Sequence, residues 1–234
     1  ELPGADAFPV DLSSTISNFY ARAGAVILNN GQTGAVTFLG TVSPAGGNLK
    51  EPVTESTKKA ARCFYALNQN RADKKRYPAV DPIDSYSKYL DYPEIVQYMS
   101  EHIAPDWVEK VLKAKNIVLR GKEAYEQINI LGDDGVPISY HEIYWKSELI
   151  DFVILQQDAF DDIDASCPIE RQKYMLALVL EACDAKHEFD TFEECSTYYK
   201  GLINIFKQMN YSEFKSAEFD KYLSQIKNTI SYDK

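Results

Sequence analysis

The sequence predicts a mainly α fold: a helical bundle preceded by one short strand-bearing segment. Three observations lead there. Apolar residues recur at helical spacing from about Ser85 to the end of the chain, and prolines and glycines cut that stretch into separate helices. Only one run, residues 35–42, is β-branched, largely apolar and of strand length.

Taken in order, Leu12, Ile16, Phe19 and Ala23 share one helical stripe, and Asp11 stands where an N-cap belongs. Gly24 and then Asn29, Asn30 and Gly31 break that helix. The strand over residues 35–42 follows without an obvious partner in the sequence, and one strand cannot bury itself. Pro52 opens a second helix, with Glu51 and Glu55 near its positive end and Ala60, Ala61, Phe64 and Leu67 as its buried stripe. Pro78 and Pro82 hold residues 77–82 extended, because proline disfavours the helical region for the residue before it. Beyond Ser85, stripes recur at Ile95, Val96 and Met99; at Trp107, Val108, Val111 and Leu112; at Leu149, Ile150, Val153 and Ile154; and at Tyr174, Met175, Leu178 and Val179. Pro105, residues 132–137 and Pro168 separate them. Pro168 at a first helical position, and Thr191 three residues before Glu194, mark two later helix starts. The last stripes, Tyr198, Leu202, Ile205 and Phe206, then Phe219, Leu223 and Ile226, predict two docked helices and not a loose tail. The chain divides near residue 90, into residues 1–90 and 91–234, with tail helices from about residue 187.

The 234 residues, 45% of them apolar, suffice for one domain or one and a half. A net charge of −10 argues against a nucleic-acid partner, which needs a clustered basic surface. The one basic cluster, Arg71, Lys74, Lys75 and Arg76, reads as a solvated helix end in preference to an anion site. Cysteines at 63, 167, 183 and 195 form no C-x-x-C pair and the three histidines stand far apart, so no metal site is signalled and the thiols read as reduced. No apolar run approaches the length needed to span a bilayer, so membrane association is expected only through partners. Asp161, Asp162 and Asp164 read as a polar turn, with no histidine, lysine or nucleophile placed to complete a mechanism.

Tyr77, between the basic cluster and Pro78, is fixed in direction and makes a stacking platform for a flat base; taken alone, the simpler reading is a core tyrosine. Phe160 taken alone reads as a buried ring at a helix end. Gln156 and Gln157, ending an apolar helix, carry amides able to read the polar edge of a base.

Four ordered blocks then change the odds: ELPG (residues 1–4), SPAGGNLKEPVT (43–54), RYPAVDPIDS (76–85) and LQQDAFDDID (155–164). Together they closely resemble the catalytic A subunit of V/A-type rotary ATPases, over roughly residues 1–185, whereas residues 187–234 match nothing in that pattern. The resemblance implies a C-terminal helical bundle preceded by a strand-containing remnant of an α/β nucleotide-binding domain. It also implies a set of site residues. Tyr77, Gln156, Gln157, Ala159 and Phe160 would line the adenine pocket, Asp158 standing where the family carries asparagine. Gly132, Asp133 and Asp134 would form the lever turn against the central rotor stalk, and Ser43, Pro44, Gly46, Gly47, Glu51 and Pro52 the interface with the non-catalytic B subunit. ATP or ADP with Mg²⁺ would be the cofactors of the whole subunit, cytoplasmic and peripheral to the membrane, in ATP-coupled transport of H⁺ or Na⁺.

The phosphate-cradling G-x-x-x-x-G-K-[S/T] loop occurs nowhere in these residues; Gly46 and Gly47 are followed by Asn48, Leu49, Lys50 and Glu51. The chain also opens at Glu1. Both fit a piece of a longer protein, inactive and without bound nucleotide by itself. The alternative is a stand-alone helical interaction module without catalysis.

Overall fold

The computed structural model describes residues 8–231, so the ELPG block lies outside the described residues. Two compact units emerge, one running up to Phe64 and including Ser87–Tyr89, the other made of Tyr65–Tyr86 and everything from Leu90 onward. Tyr65–Tyr86, which the sequence groups with what precedes it, thus packs with the helices.

In the first unit, α1 (Leu12–Tyr20) starts after Asp11, whose carboxylate makes no capping hydrogen bond. Residues 35–42 do not form the isolated strand expected. Instead β2 (Thr33–Val36) pairs antiparallel with β1 (Gly24–Ile27), Ala25 opposite Ala35. The glycine-containing turn read as a breaker is the hairpin loop: Gly31 takes a φ of 81°, and the Leu28 amide donates to Gln32 O at 2.7 Å. Phe38, past the hairpin, packs edge-on against Phe19 and Tyr20 at 5.2 and 4.6 Å. In α2 (Pro52–Ala60) Glu51 is the N-cap, its carboxylate accepting from the Thr54 amide at 2.9 Å and the Thr54 hydroxyl at 2.7 Å. The expected apolar stripe is not the buried one: the helix stops at Ala60, Leu67 is exposed, and the buried face is Thr54, Ser56 and Thr57.

In the second unit, Tyr65–Tyr86 doubles back on itself, Leu67 bridging to Val80 and the Asp81 amide donating to Ala66 O. The short α3 (Gln69–Asp73) is capped by Asn68. Burial alone would raise the Asp81 carboxyl, but the Asp84 and Ile83 amides and the Asn68 side chain outweigh it and hold the group below its usual range. Six helices follow: α4 (Pro93–His102), α5 (Trp107–Leu131), α6 (Ile138–Ile150), α7 (Ile169–Asp184), α8 (Phe192–Asn210) and α9 (Ala217–Ser231). Pro168 caps α7 from outside, one residue earlier than expected.

The helix starting at Thr191 follows the capping-box spacing: Thr191 Oγ1 accepts from the Glu194 amide, and Glu194 reaches back to the Asp190 amide. The tail is no appendage. Leu202, Phe206, Phe219 and Ile226 are buried in the same cluster as Leu149, Ile150, Met175 and Val179.

Two polar groups tie this core together. Buried Arg171 donates to the carbonyls of Met209 and Asn210, satisfying orphan acceptors at the end of α8. Asn210 in turn donates to Val153 O at 3.0 Å, inside a π-helical turn (Asp151–Leu155) that prolongs α6. Where α5 crosses α6, Gly121 is buried, and a Cβ there would overlap Ser147.

Candidate functional site

The π-helical turn decides where Gln156 and Gln157 lie. As it ends, the Gln157 amide donates to the Tyr77 carbonyl at 2.8 Å, bringing the two predicted segments together through the backbone. The Tyr77 ring is 52% exposed, its hydroxyl only 3.4 Å from Ala72 O. Phe160 is not the buried ring its position at a helix end suggests: it is 100% exposed on a turn. That turn is built by aspartates. The Phe160 amide donates to Asp158 Oδ1, the Asp158 amide to Asp164 Oδ2, and Gln157 Nε2 to Asp164 O. Burial pushes the Asp164 carboxyl up. Gln156 Oε1 is buried without a hydrogen-bond donor. Ala159 is exposed.

The basic cluster divides: Lys74 and Lys75 are exposed at the end of α3, as a solvated helix end would be, whereas Arg71 and Arg76 are taken up in ion pairs. Arg71 makes a two-pronged pair with Asp151, Nη1 to Oδ2 at 3.0 Å and Nη2 to Oδ1 at 2.7 Å. Arg76 bridges Asp151 Oδ2 at 2.6 Å and Glu148 Oε2 at 2.8 Å, with its guanidinium 3.6 Å from the Phe152 ring centroid. Sequence reasoning singled out Arg71 and Arg76 but missed their partners, Glu148 and Asp151. The available signal was Glu148 and Asp151 set within the apolar stripe Leu149, Ile150, Val153 and Ile154.

The predicted lever turn joins α5 to α6. Gly132 ends α5 with a φ of 82°, and Asp133–Gly135 form a single 3₁₀ turn. Buried His141 holds the turn through the Asp133 carbonyl at 3.0 Å and stacks on Phe192 of the tail. Asp133 and Asp134 stay exposed, as do Ile130 and Leu131 at the end of α5. In the predicted interface loop, Ser43, Gly46 and Gly47 are exposed and Pro44 and Pro52 half-buried, while the Glu51 carboxylate is occupied by its helix cap. All four cysteines are free thiols, and burial pushes Cys183 and Cys195 up to about 12. No group of three potential metal ligands occurs among the described residues.

A helical bundle that follows a small hairpin-bearing segment in the chain fits a class: the C-terminal region of a rotary ATPase subunit. Comparison with known proteins agrees. Residues 1–87 match the nucleotide-binding domain of the ATP synthase alpha/beta family, and residues 96–199 the C-terminal domain of V and A type ATP synthase. The chain belongs to the V/A-type ATP synthase family. It is 39% identical over 230 residues to the V-type ATP synthase alpha chain of Protochlamydia amoebophila, covering 98% of this chain, and 42% identical over 226 residues to that of Chlamydia abortus, covering 97%. The alpha chain of Borrelia duttonii is 38% identical over 230 residues. The similarity therefore runs through residues 187–234, which the sequence blocks left unmatched. The chain spans about 38% of the length of these relatives. Among solved structures, the ATP synthase subunit NeqB from Nanoarcheaum equitans shares the fold, with a TM-score of 0.56 at 20% identity, over 80% of this chain and 43% of that one.

Proposed function

We propose that this chain forms the adenine-binding wall and the rotor lever of a V/A-type ATP synthase catalytic subunit. One observation carries the reading: the Gln157–Tyr77 backbone hydrogen bond joins two sequence blocks 80 residues apart and leaves Tyr77 and Phe160 both uncovered nearby. A flat base stacked on such rings gains roughly 1–3 kcal/mol each, and the Gln156 and Gln157 amides are of the type that pairs with the polar edge of a base. These residues fit an adenine. They do not supply phosphate or Mg²⁺ chemistry, for which the 234 residues hold no glycine-rich lysine loop. Those groups belong to residues outside this chain, so the chain by itself turns over no ATP; hydrolysis abolished by substituting one of its own residues would refute that.

The α5–α6 turn, fixed by His141 and tipped by exposed Ile130 and Leu131, suits a rigid lever against the central rotor stalk. Exposed Ser43, Gly46 and Gly47 suit contact with the non-catalytic B subunit. No described helix is long and apolar enough to cross a membrane, consistent with a peripheral catalytic head coupled to H⁺ or Na⁺ transport elsewhere in the complex.

The test is nucleotide affinity in the intact subunit. Tyr77→Ala or Phe160→Ala is expected to raise the ADP dissociation constant about tenfold, the loss of about 1.4 kcal/mol, while Tyr77→Phe stays near wild type. Equal losses from Tyr77→Phe and Tyr77→Ala would assign the effect to the hydroxyl and defeat the stacking account.

A further inference from the structure

We propose that the ion cluster of Arg71, Arg76, Glu148 and Asp151 positions the Tyr77 platform, so that the packing of α6 and its π-helical turn sets how tightly the base is held. This rests on the reading of Tyr77 as a base-stacking residue. Tyr77 itself is poorly secured, half-exposed with one long hydroxyl contact. Its backbone, however, is anchored on both sides to the same short stretch. On one side the adjacent Arg76 grips Asp151, the first residue of the π-helical turn; on the other the Tyr77 carbonyl accepts from Gln157, two residues past the turn's last, Leu155.

The turn therefore spans the distance between two clamps on adjacent residues, Arg76 and Tyr77. A π turn holds one residue more per hydrogen-bonded turn than an α turn, so its presence fixes the register between Asp151 and Gln157. Asn210, reaching from α8 to Val153 O, holds the turn from behind.

The cluster is suited to a positioning task. Its two cations and two anions balance, and their side chains are only 12–19% exposed, so solvent and salt screen the pairs little. Part-buried pairs of this kind add little net stability but fix geometry, because the guanidinium fork donates to carboxylates in one plane. Arg76 is bound three ways, by Asp151, by Glu148 and by the Phe152 ring, which leaves its backbone, and that of Tyr77 beside it, little freedom.

The test has two readouts. In this chain, Arg76→Gln is expected to speed exchange of the Gln157 amide while the amides of Leu202 and Phe206 keep their protection; unchanged Gln157 exchange overturns the proposal. In the intact subunit the same variant is expected to raise the ADP dissociation constant roughly fivefold, within the range for network residues that do not touch the ligand. Combined with Tyr77→Ala it should add nothing, because the cluster acts through that ring; additive losses overturn the proposal. Tyr77→Ala alone separates the two ideas. No loss there defeats base stacking itself, whereas a loss there with none for Arg76→Gln defeats only the role of the cluster. Should Arg76→Gln unfold the chain, Asp151→Asn keeps the side chain's shape, removes its charge, and is judged by the same Gln157 exchange.

Discussion

Every buried apolar side chain among the described residues lies at Ala66 or beyond, in the helical unit, whereas the N-terminal unit buries only Thr54, Ser56 and Thr57 and leaves Val26, Ile27, Val36 and Leu39 exposed. Both units contain well-formed elements. The difference lies in what holds them. The hairpin, the turn at Gly31 and the Glu51 cap are local hydrogen-bonded devices, each contributing about 1 kcal/mol, and none of them removes apolar surface from water. The helical unit instead closes a core from α5 to α9 around Leu149, Val179, Leu202 and Phe206. Secondary structure follows from short-range chemistry in both, but only the second pairs it with the burial that stabilises a fold.

The comparison breaks most directly at the tail. Truncation after residue 190 strips Leu202, Phe206, Met209, Phe219 and Ile226 from the core and is expected to abolish the cooperative thermal melt followed by circular dichroism. A melt that survives would show that α5 to α7 hold the unit alone. Gly121→Ala should come next, destabilising by about 1–3 kcal/mol because the new Cβ meets Ser147 at the α5–α6 crossing, with Ser147→Gly restoring much of the loss. If Gly121→Ala melts like wild type, the two helices are free to move apart.

In the N-terminal unit, Ile27→Asp, at a position 79% exposed, should shift stability by no more than about 0.5 kcal/mol. Amides of β2 should also exchange far faster than those of Leu149 and Ile150; matching protection would mean the hairpin is covered within this chain.

The smallest effect is electrostatic and has opposite signs at two sites. Burial raises the Asp164 carboxyl, so its contribution to stability is fully present below the unfolded pKa and is lost as pH rises through the folded one; Asp164→Asn should raise the melting temperature slightly at neutral pH. Asp81 is held below its usual value, so its contribution is present above the unfolded pKa and is lost as pH falls through the folded one. Melting curves of Asp164→Asn and Asp81→Asn across the acid range check both; a shift of the same sign for the two at neutral pH would contradict this assignment.

Much of the site was legible as local chemistry and little of it as assembly. The α5–α6 turn showed in Gly132 and Pro137 between two apolar stripes, and the helix start at Thr191 in its spacing to Glu194. The pairing within the ion cluster left no such trace, because Arg71 and Asp151 stand 80 residues apart and Arg76 and Glu148 72. Phe160 taken alone misled for the converse reason. Its hydrophobicity suggested burial, but the aspartates on either side of it turn the chain outward.

By itself, then, the sequence determined several helix starts, the apolar faces of the helical unit and which family the chain joins, since caps, stripes and ordered blocks act over three or four residues or persist as contiguous text. The tertiary structure alone decided that residues 24–27 supply the partner of β2, that Tyr65–Tyr86 is tied to α6 and its π-helical turn through half-buried arginines, and that this turn brings Gln157 to Tyr77. Each of those is a contact between groups distant along the chain, whose energy depends on burial and angle, and neither quantity has a period that a sequence can display.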